Sequence, residues 1–326
     1  MRLVMMGTGN FALPTFQGLL SGPHSVVGLV TQPDRPMGQQ RGSTRQRGEG
    51  LKPLAIEREI PVLQPANMNT TEAVAQLRAL QPDLLVVAAY GQILSKDVLA
   101  VPPLGGINVH ASLLPKFRGA APVAWAIYHG ETQTGVSIIK MSVYLDAGDI
   151  LAQEALDIGP EETAGELELR LAVLGGQLAL RVIDQIAAGT AHGTKQDKTQ
   201  ASKAPKLTKE NGLIDWSRPA RDVCNQIRAM QPWPTAYTFW HRSGKQPQRW
   251  IIHRAMCREG TATEALTTGQ LIVQPQNTPR LCVVAGGASQ VEILEFQPAG
   301  NRRMTAREFL RGHRPELGDR LGPENV

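Results

Sequence analysis

The sequence predicts an α/β protein in two parts: a doubly wound, mostly parallel Rossmann-like sheet, followed by a small OB-like β-barrel. Three observations predict it. Short runs rich in Val, Leu and Ile alternate with helical patterns from Arg2 to Ala187, as buried parallel strands alternate with their crossover helices. The composition turns polar after Gly189, with Lys195, Lys198, Lys203, Lys206 and Lys209 in the stretch from Thr190 to Glu210, which reads as an exposed linker. Five strand-like runs separated by turn residues then follow, as in a small barrel. The expected organisation is a first domain over 1–189, a basic linker over 190–210 and a second domain over 211–326.

In chain order, strands are expected at Arg2 to Met6, Ser25 to Thr31, Leu84 to Ala89 and Gly106 to His110. Helices fall between them. Phe11 to Leu20 has Pro14 in its first turn, Leu51 to Glu59 follows a glycine-rich stretch, and Thr70 to Leu80 has Thr70 or Thr71 placed as N-cap. Gly135 to Val143 and Ile150 to Ile158 read as two more strands joined by a tight turn, and Ala164 to Ala187 as a long covering helix. In the second part a helix is expected from Pro219 to Met230. Strands follow at Thr235 to Trp240, Arg249 to Met256, Gln270 to Val273, Leu281 to Val284 and Val291 to Phe296. A last helix starts at Thr305, with Glu308 three residues on completing a capping box.

Composition narrows the classes. The 326 residues are 42% apolar, enough for a substantial core. Cys224, Cys257 and Cys282 are odd in number and widely spaced, so neither a disulfide framework nor a zinc site is expected, and reduced thiols in a cytoplasmic protein are. No apolar leader precedes the first strand, and no apolar run approaches the roughly 20 residues of a membrane span. Through Gln200 there are 16 basic against 18 acidic residues, leaving 18 against 11 from Ala201 onward. That asymmetry suits either a polyanionic partner for the second part or ordinary solubilising charge.

Asn108 and His110 are two residues apart on an expected strand, so both side chains leave the same face, while Ile107 and Val109 point into packing. Ser112 to Pro115 cannot continue a central strand, which sets the pair at a strand end, where open α/β sheets bind ligands. An amide donor beside an imidazole suits a reaction in which negative charge develops on a carbonyl oxygen. An ordinary solvated strand end would show the same two residues. Asp146 follows a strand on a glycine-bearing turn, either as a carboxylate that orients an imidazole or as a turn residue. Gly7-Thr8-Gly9 is not a dinucleotide fingerprint: Ala12 stands at the third glycine and Thr31-Gln32 where a ribose-binding carboxylate belongs. Between Gln32 and Lys52 lie Arg35, Arg41, Arg45, Arg47 and Lys52 against Asp34 and Glu49, a loop long and polar enough to be functional.

The stretch Asn108-Val109-His110-Ala111-Ser112-Leu113-Leu114-Pro115-Lys116-Phe117-Arg118-Gly119-Ala120-Ala121-Pro122, with Leu145-Asp146-Ala147-Gly148-Asp149, resembles the signature of the folate-dependent formyltransferases. Thr31-Gln32-Pro33-Asp34-Arg35-Pro36, Val87-Ala88-Ala89-Tyr90-Gly91-Gln92-Ile93-Leu94 and Gln231-Pro232-Trp233-Pro234 narrow it to the members that act on initiator methionyl-tRNA. The resemblance covers nearly the whole chain. It implies a monomeric, metal-free enzyme that moves the formyl group of 10-formyltetrahydrofolate to the methionine amine of that tRNA. Asn108, His110 and Asp146 match the family's catalytic residues, and Ser112, Leu113, Leu114 and Pro115 its tetrahydrofolate segment, joined by Tyr90 and Gly91. Arg35, Arg41, Arg45 and Arg47, with Lys203, Lys206 and Lys209, are the expected tRNA contacts. The chain departs from the family at Gly9-Asn10, where Pro-Asp is common, and the Gln39 to Glu49 loop does not align residue by residue. Two rivals stay open: the same chemistry on an amino sugar or water, and a non-enzymatic nucleotide sensor with an RNA-binding barrel. The basic second part weighs against the first and the incomplete glycine motif against the second.

Overall fold

The computed structural model describes residues 1–34, 50–258, 266–274, 279–313, 315–316 and 318–325. The first part contains β1 (Arg2–Gly7), α1 (Leu13–Ser21), β2 (Ser25–Val30), α2 (Leu51–Glu57), β3 (Val62–Leu63), α3 (Thr71–Ala79), β4 (Leu84–Ala88), α4 (Lys96–Leu99) and β5 (Gly106–His110). It continues through β6 (Arg118–Gly119), α5 (Pro122–Tyr128), β7 (Gln133–Lys140), β8 (Ile150–Asp157) and α6 (Ala164–Ala187).

Strand order across the main sheet is β3-β2-β1-β4-β5-β7-β8. The first five strands run parallel, while β7 is antiparallel to both β5 and β8. The order reverses between β1 and β4, as in a doubly wound sheet. Leu3 to Met6 and Leu84 to Val86 are fully buried, because helices cover both faces. One face packs Val4, Met6, Val30, Leu85 and Val87 against Met68, Val74, Leu77 and Val98. On the other, α6 comes so close to β5 that a Cβ on Gly175 would lie 2.7 Å from Val109 Cγ1. That contact presses on the strand from the side opposite Asn108 and His110. Thr70 caps α3, its hydroxyl accepting from Ala73 N at 3.2 Å.

The later elements are β9 (Lys203–Ala204), α7 (Ala220–Ala229), β10 (Ala236–His241), β11 (Gln248–Arg258), β12 (Leu271–Gln274), β13 (Arg280–Val284), β14 (Gln290–Pro298), β15 (Met304–Thr305), α8 (Ala306–Gly312) and β16 (Arg320–Gly322). The antiparallel order β12-β13-β14-β11-β10-β16 closes on itself: Leu271 N donates to Asp319 O at 2.9 Å and Leu321 N to Gly269 O at 2.7 Å. Closure removes the sheet edges. Trp240, Trp250, Phe296 and Phe309 fill the interior, with Trp250 and Phe296 centroids 4.3 Å apart. Pairs of this kind add about 0.5–1.5 kcal/mol beyond their buried area. Thr305 and Glu308 form the expected capping box.

Among the described residues the closed path uses six strands where the sequence predicts five, with β15 pairing β14 beside it, because β16 is only three residues long and carries no alternation. β3, β6, β9 and β15, two residues each, escape for the same reason. α4 and α5 are also absent from the sequence pattern, one being a single turn and the other apolar over most of its seven residues. The strand expected to end at Val143 stops at Lys140, leaving a longer loop before β8.

The chain divides into two compact units, one of residues 1–123, 133–158 and 165–206, the other of 124–132, 159–164 and 207–326. The expected linker is thus partly built into the first unit. Thr194 and Ile150 exchange backbone hydrogen bonds at 2.8 Å, Arg118 N donates to Ser202 O at 2.8 Å, and β9 pairs with β6. Polar composition reads as solvated chain, whereas main-chain pairing leaves no trace in composition.

Candidate active site

The alternation on β5 is as its sequence demands: Ile107 and Val109 are buried behind the strand, and Asn108 and His110 share the other face. β4 and β7 flank the strand and place Asn108 opposite Val87 and Ile139, and His110 opposite Ser137. Both side chains meet Asp146 from the loop between β7 and β8. Asn108 Nδ2 donates to Asp146 Oδ1 at 3.4 Å, and His110 Nδ1 lies 3.6 Å from Asp146 Oδ2. The imidazole and carboxylate are 5% and 8% exposed, so water screens their attraction little. His110 Nε2 lies 3.0 Å from Phe117 O. A carbonyl only accepts, so Nε2 carries a hydrogen and Nδ1 is the nitrogen turned to the carboxylate. Both contacts to Asp146 are longer than the 2.7–2.9 Å or so of a committed charge-assisted hydrogen bond. The amide and the imidazole are gathered at the carboxylate without being locked to it.

Asp146 has φ of +48°, a left-handed conformation that costs an L-residue about 1–2 kcal/mol and is best tolerated by Asp and Asn. Three contacts hold it there. Gly119 N donates to Asp146 Oδ2 at 2.9 Å, and Gln196 Nε2 donates to Asp146 O at 2.8 Å and Gly148 O at 2.7 Å. The chain carrying Phe117, His110's other partner, is fixed where Phe117 N donates to Ser202 Oγ at 2.8 Å.

Ser112, Leu113, Leu114 and Pro115 form a folded loop at the end of β5. Ser112 Oγ donates to Lys116 O at 2.6 Å, Leu114 N to Ser137 Oγ at 3.0 Å, and Gln153 Nε2 to Leu114 O at 2.9 Å. Ser112 and Leu114 are buried; Leu113 and Pro115 are half-buried. Tyr90, expected as a ligand contact, has its ring in the core and is 2% exposed. Burial pushes its hydroxyl pKa up to about 12. Gly91, at φ of +84°, is exposed beside it.

Arg35, Arg41, Arg45 and Arg47 lie outside the described residues. Lys52 is paired with Asp34, and that hydrogen bond, with one from Gln64, holds the Asp34 carboxyl below the usual range. Lys203, Lys206 and Lys209 are all exposed. Among the described residues no group of three or more His, Cys, Asp or Glu is placed to hold a metal, and no helix is long and apolar enough to cross a membrane.

Comparison with known proteins matches residues 1–183 to the formyl transferase family and 206–314 to the formyl transferase C-terminal domain. The chain belongs to the formyl transferase family. This formyl transferase is 42% identical to the methionyl-tRNA formyltransferase of Trichlorobacter lovleyi, covering 100% of this chain and 98% of that one. It is 39% identical to the methionyl-tRNA formyltransferase of Bacillus subtilis, over 99% and 98%. The solved N-formyltransferase from Helicobacter canadensis, in complex with folinic acid and dTDP-3-aminofucose, superposes with a TM-score of 0.65 at 17% identity, over 89% of this chain and 98% of that one. At that identity the likeness is one of fold. The enzyme therefore transfers a formyl group, and Asn108, His110 and Asp146 converge at the strand end on β5.

Sequence reasoning missed Gln196 and Ser202, which lie between the two matched ranges in a run read as solvated. Gly119 and Phe117 stand inside the quoted motif, but their parts are played by main-chain N–H and C=O, which side-chain chemistry does not reveal.

Proposed function

We propose that this formyl transferase moves the formyl group of 10-formyltetrahydrofolate to the α-amino group of methionine on initiator methionyl-tRNA, acting in the cytoplasm as a monomer. The observation that carries the acceptor assignment is full-length similarity, across both domains, to methionyl-tRNA formyltransferases. The convergence of Asn108, His110 and Asp146 supports the chemistry. The neutral amine attacks the formyl carbon, the carbonyl π-electrons move onto oxygen, and the tetrahedral intermediate collapses with loss of N10, which leaves protonated as tetrahydrofolate. The proton it takes up is the one the amine gives up, with His110 and Asp146 as the titratable pair beside the reacting centre.

Asn108 Nδ2 donates to the oxyanion, and His110 Nδ1 does so in the doubly protonated form of the ring, since the Nε2 hydrogen is already turned to Phe117 O. Their contacts to Asp146 are long, so neither group is fully engaged by the carboxylate, while Phe117 O and Gly119 N keep the ring and the carboxylate in place. Such donors cost no reorganisation during the reaction. The residues also suit the flat ring faces of the donor: Ile93 beyond β4 and Val143, Tyr144 and Leu145 just before Asp146 are exposed apolar side chains, and the Ser112 to Pro115 loop borders the strand end. Lys203 and Lys206 at the end of the first unit, with Lys209 and the rest of the basic second unit, supply phosphate contacts for the tRNA.

The test is incubation of the enzyme with methionyl-tRNA and 10-formyltetrahydrofolate, then mass spectrometry of the released amino acid. Formylmethionine is the expected product. An enzyme that leaves methionyl-tRNA untouched but formylates a nucleotide-linked amino sugar has another acceptor.

A further inference from the structure

Gln196 is half-buried in a run, 192–200, whose other residues are all exposed, and its amide uses its whole hydrogen-bonding capacity. Nε2 donates to Asp146 O and Gly148 O at 2.8 and 2.7 Å. Oε1 accepts from Arg118 Nε at 3.1 Å and Nη2 at 2.6 Å. The orientation of the amide is chemically determined, because carbonyls only accept and a guanidinium only donates. A reversed amide would set oxygen against two carbonyls and NH2 against the guanidinium.

The contacts form a closed ring. Arg118 grips Gln196, Gln196 grips the Asp146 main chain, and Gly119, next to Arg118, grips the Asp146 carboxylate. Two consecutive residues of β6 thus hold Asp146 at both ends, one directly and one through Gln196. We propose that Gln196 is a positioning residue for formyl transfer: it fixes the 146–148 turn and so sets the Asp146 carboxylate opposite Asn108 and His110. The inference rests on the catalytic reading of Asp146. The segment after α6 is, on this account, part of the catalytic machinery as well as the path to the second domain.

The experiment uses full-length Gln196→Met, which keeps length and removes all four hydrogen bonds, and Gln196→Glu, which keeps acceptors for Arg118 but has no hydrogen for the two carbonyls. Each is assayed with methionyl-tRNA and 10-formyltetrahydrofolate, alone and combined with Asp146→Asn. Displacement of a catalytic group on the ångström scale costs up to about 100-fold in rate. The expected result is a kcat lower by about 10- to 100-fold with both KM values within about twofold. In the Asp146→Asn background the same substitutions should change kcat by less than about twofold, since residues acting through one another are not additive. A folded variant with wild-type kcat overturns the proposal. So does an equal fold-loss with and without Asp146→Asn, which is what a purely structural role gives. If Asp146→Asn alone keeps the wild-type rate, the catalytic reading itself falls, and that single variant shows it independently.

Discussion

Gly119 N donates to Asp146 Oδ2 at 2.9 Å, so a main-chain group steadies the carboxylate that faces His110. Gly119 has φ of +128°, and a Cβ there would meet Ala204 O at 2.4 Å. Gly119→Ala is therefore expected to lose about 1–3 kcal/mol of stability, the range for a residue forced into such a conformation, and also to lose rate as the N–H leaves the carboxylate. Thermal unfolding and kcat on the same preparation check both. Unchanged values in both measurements would show that β6 can shift without disturbing Asp146.

On the proposed mechanism, Asn108→Ala and His110→Ala each remove one donor for the developing oxyanion. Each is expected to lower kcat by at least about 100-fold, the usual effect of losing one such group, with little change in KM because the contact forms mainly in the transition state. A variant that keeps most of its rate is not an oxyanion donor.

Asp146→Asn separates charge from turn geometry. Asn tolerates the left-handed conformation and can still accept from Gly119 N, so thermal stability should change little. The rate should fall strongly, because the amide no longer offers a negative charge to His110. Lost stability with a retained rate would make Asp146 a turn former.

Much of this is legible in the sequence, for identifiable reasons. Alternation on β5 puts Asn108 and His110 on one face because strand periodicity is fixed at two. The limits of α6 agree with those its sequence predicts because a long periodic pattern outweighs end effects. What the sequence conceals rests on the main chain or on tertiary context. Gly119 N and Phe117 O carry no side-chain signature, and Gln196 looks like any glutamine in a polar stretch. Tyr90 sits in a motif that suggests ligand contact, yet packing takes its ring into the core.

That burial gives Tyr90→Phe a definite expectation. The hydroxyl has no hydrogen-bond partner among the described residues, so its removal should leave stability unchanged or raise it, with KM for 10-formyltetrahydrofolate unaffected. The pH dependence follows in sign. The folded-state pKa is about 12, above the usual value of about 10 for an exposed phenol, so the folded state holds its proton more tightly than the unfolded state. The resulting stability is fully present below about pH 10 and is lost as pH rises through about 12. Chemical denaturation across that window should show a shallower decline for Tyr90→Phe than for wild type, and a raised KM would return the residue to the ligand site.

The exposed lysines test the division of labour between chemistry and tRNA binding. Lys203 lies on β9, where its backbone pairs with Arg118, but the side chains of Lys203, Lys206 and Lys209 are exposed and take no part in the hydrogen bonds of Gln196 and Ser202. Glutamine at all three positions preserves the β9 backbone and removes three positive charges. Affinity for methionyl-tRNA should weaken, and the dependence of log affinity on log salt should flatten by about 0.7–0.9 for each phosphate no longer neutralised, as read from binding titrations over a range of salt. At saturating tRNA, kcat should stay near wild type, because Asn108, His110 and Asp146, the proposed catalytic groups, are unchanged. A kcat that falls with unchanged affinity and salt slope would place these lysines at the acceptor end of the tRNA rather than along its body.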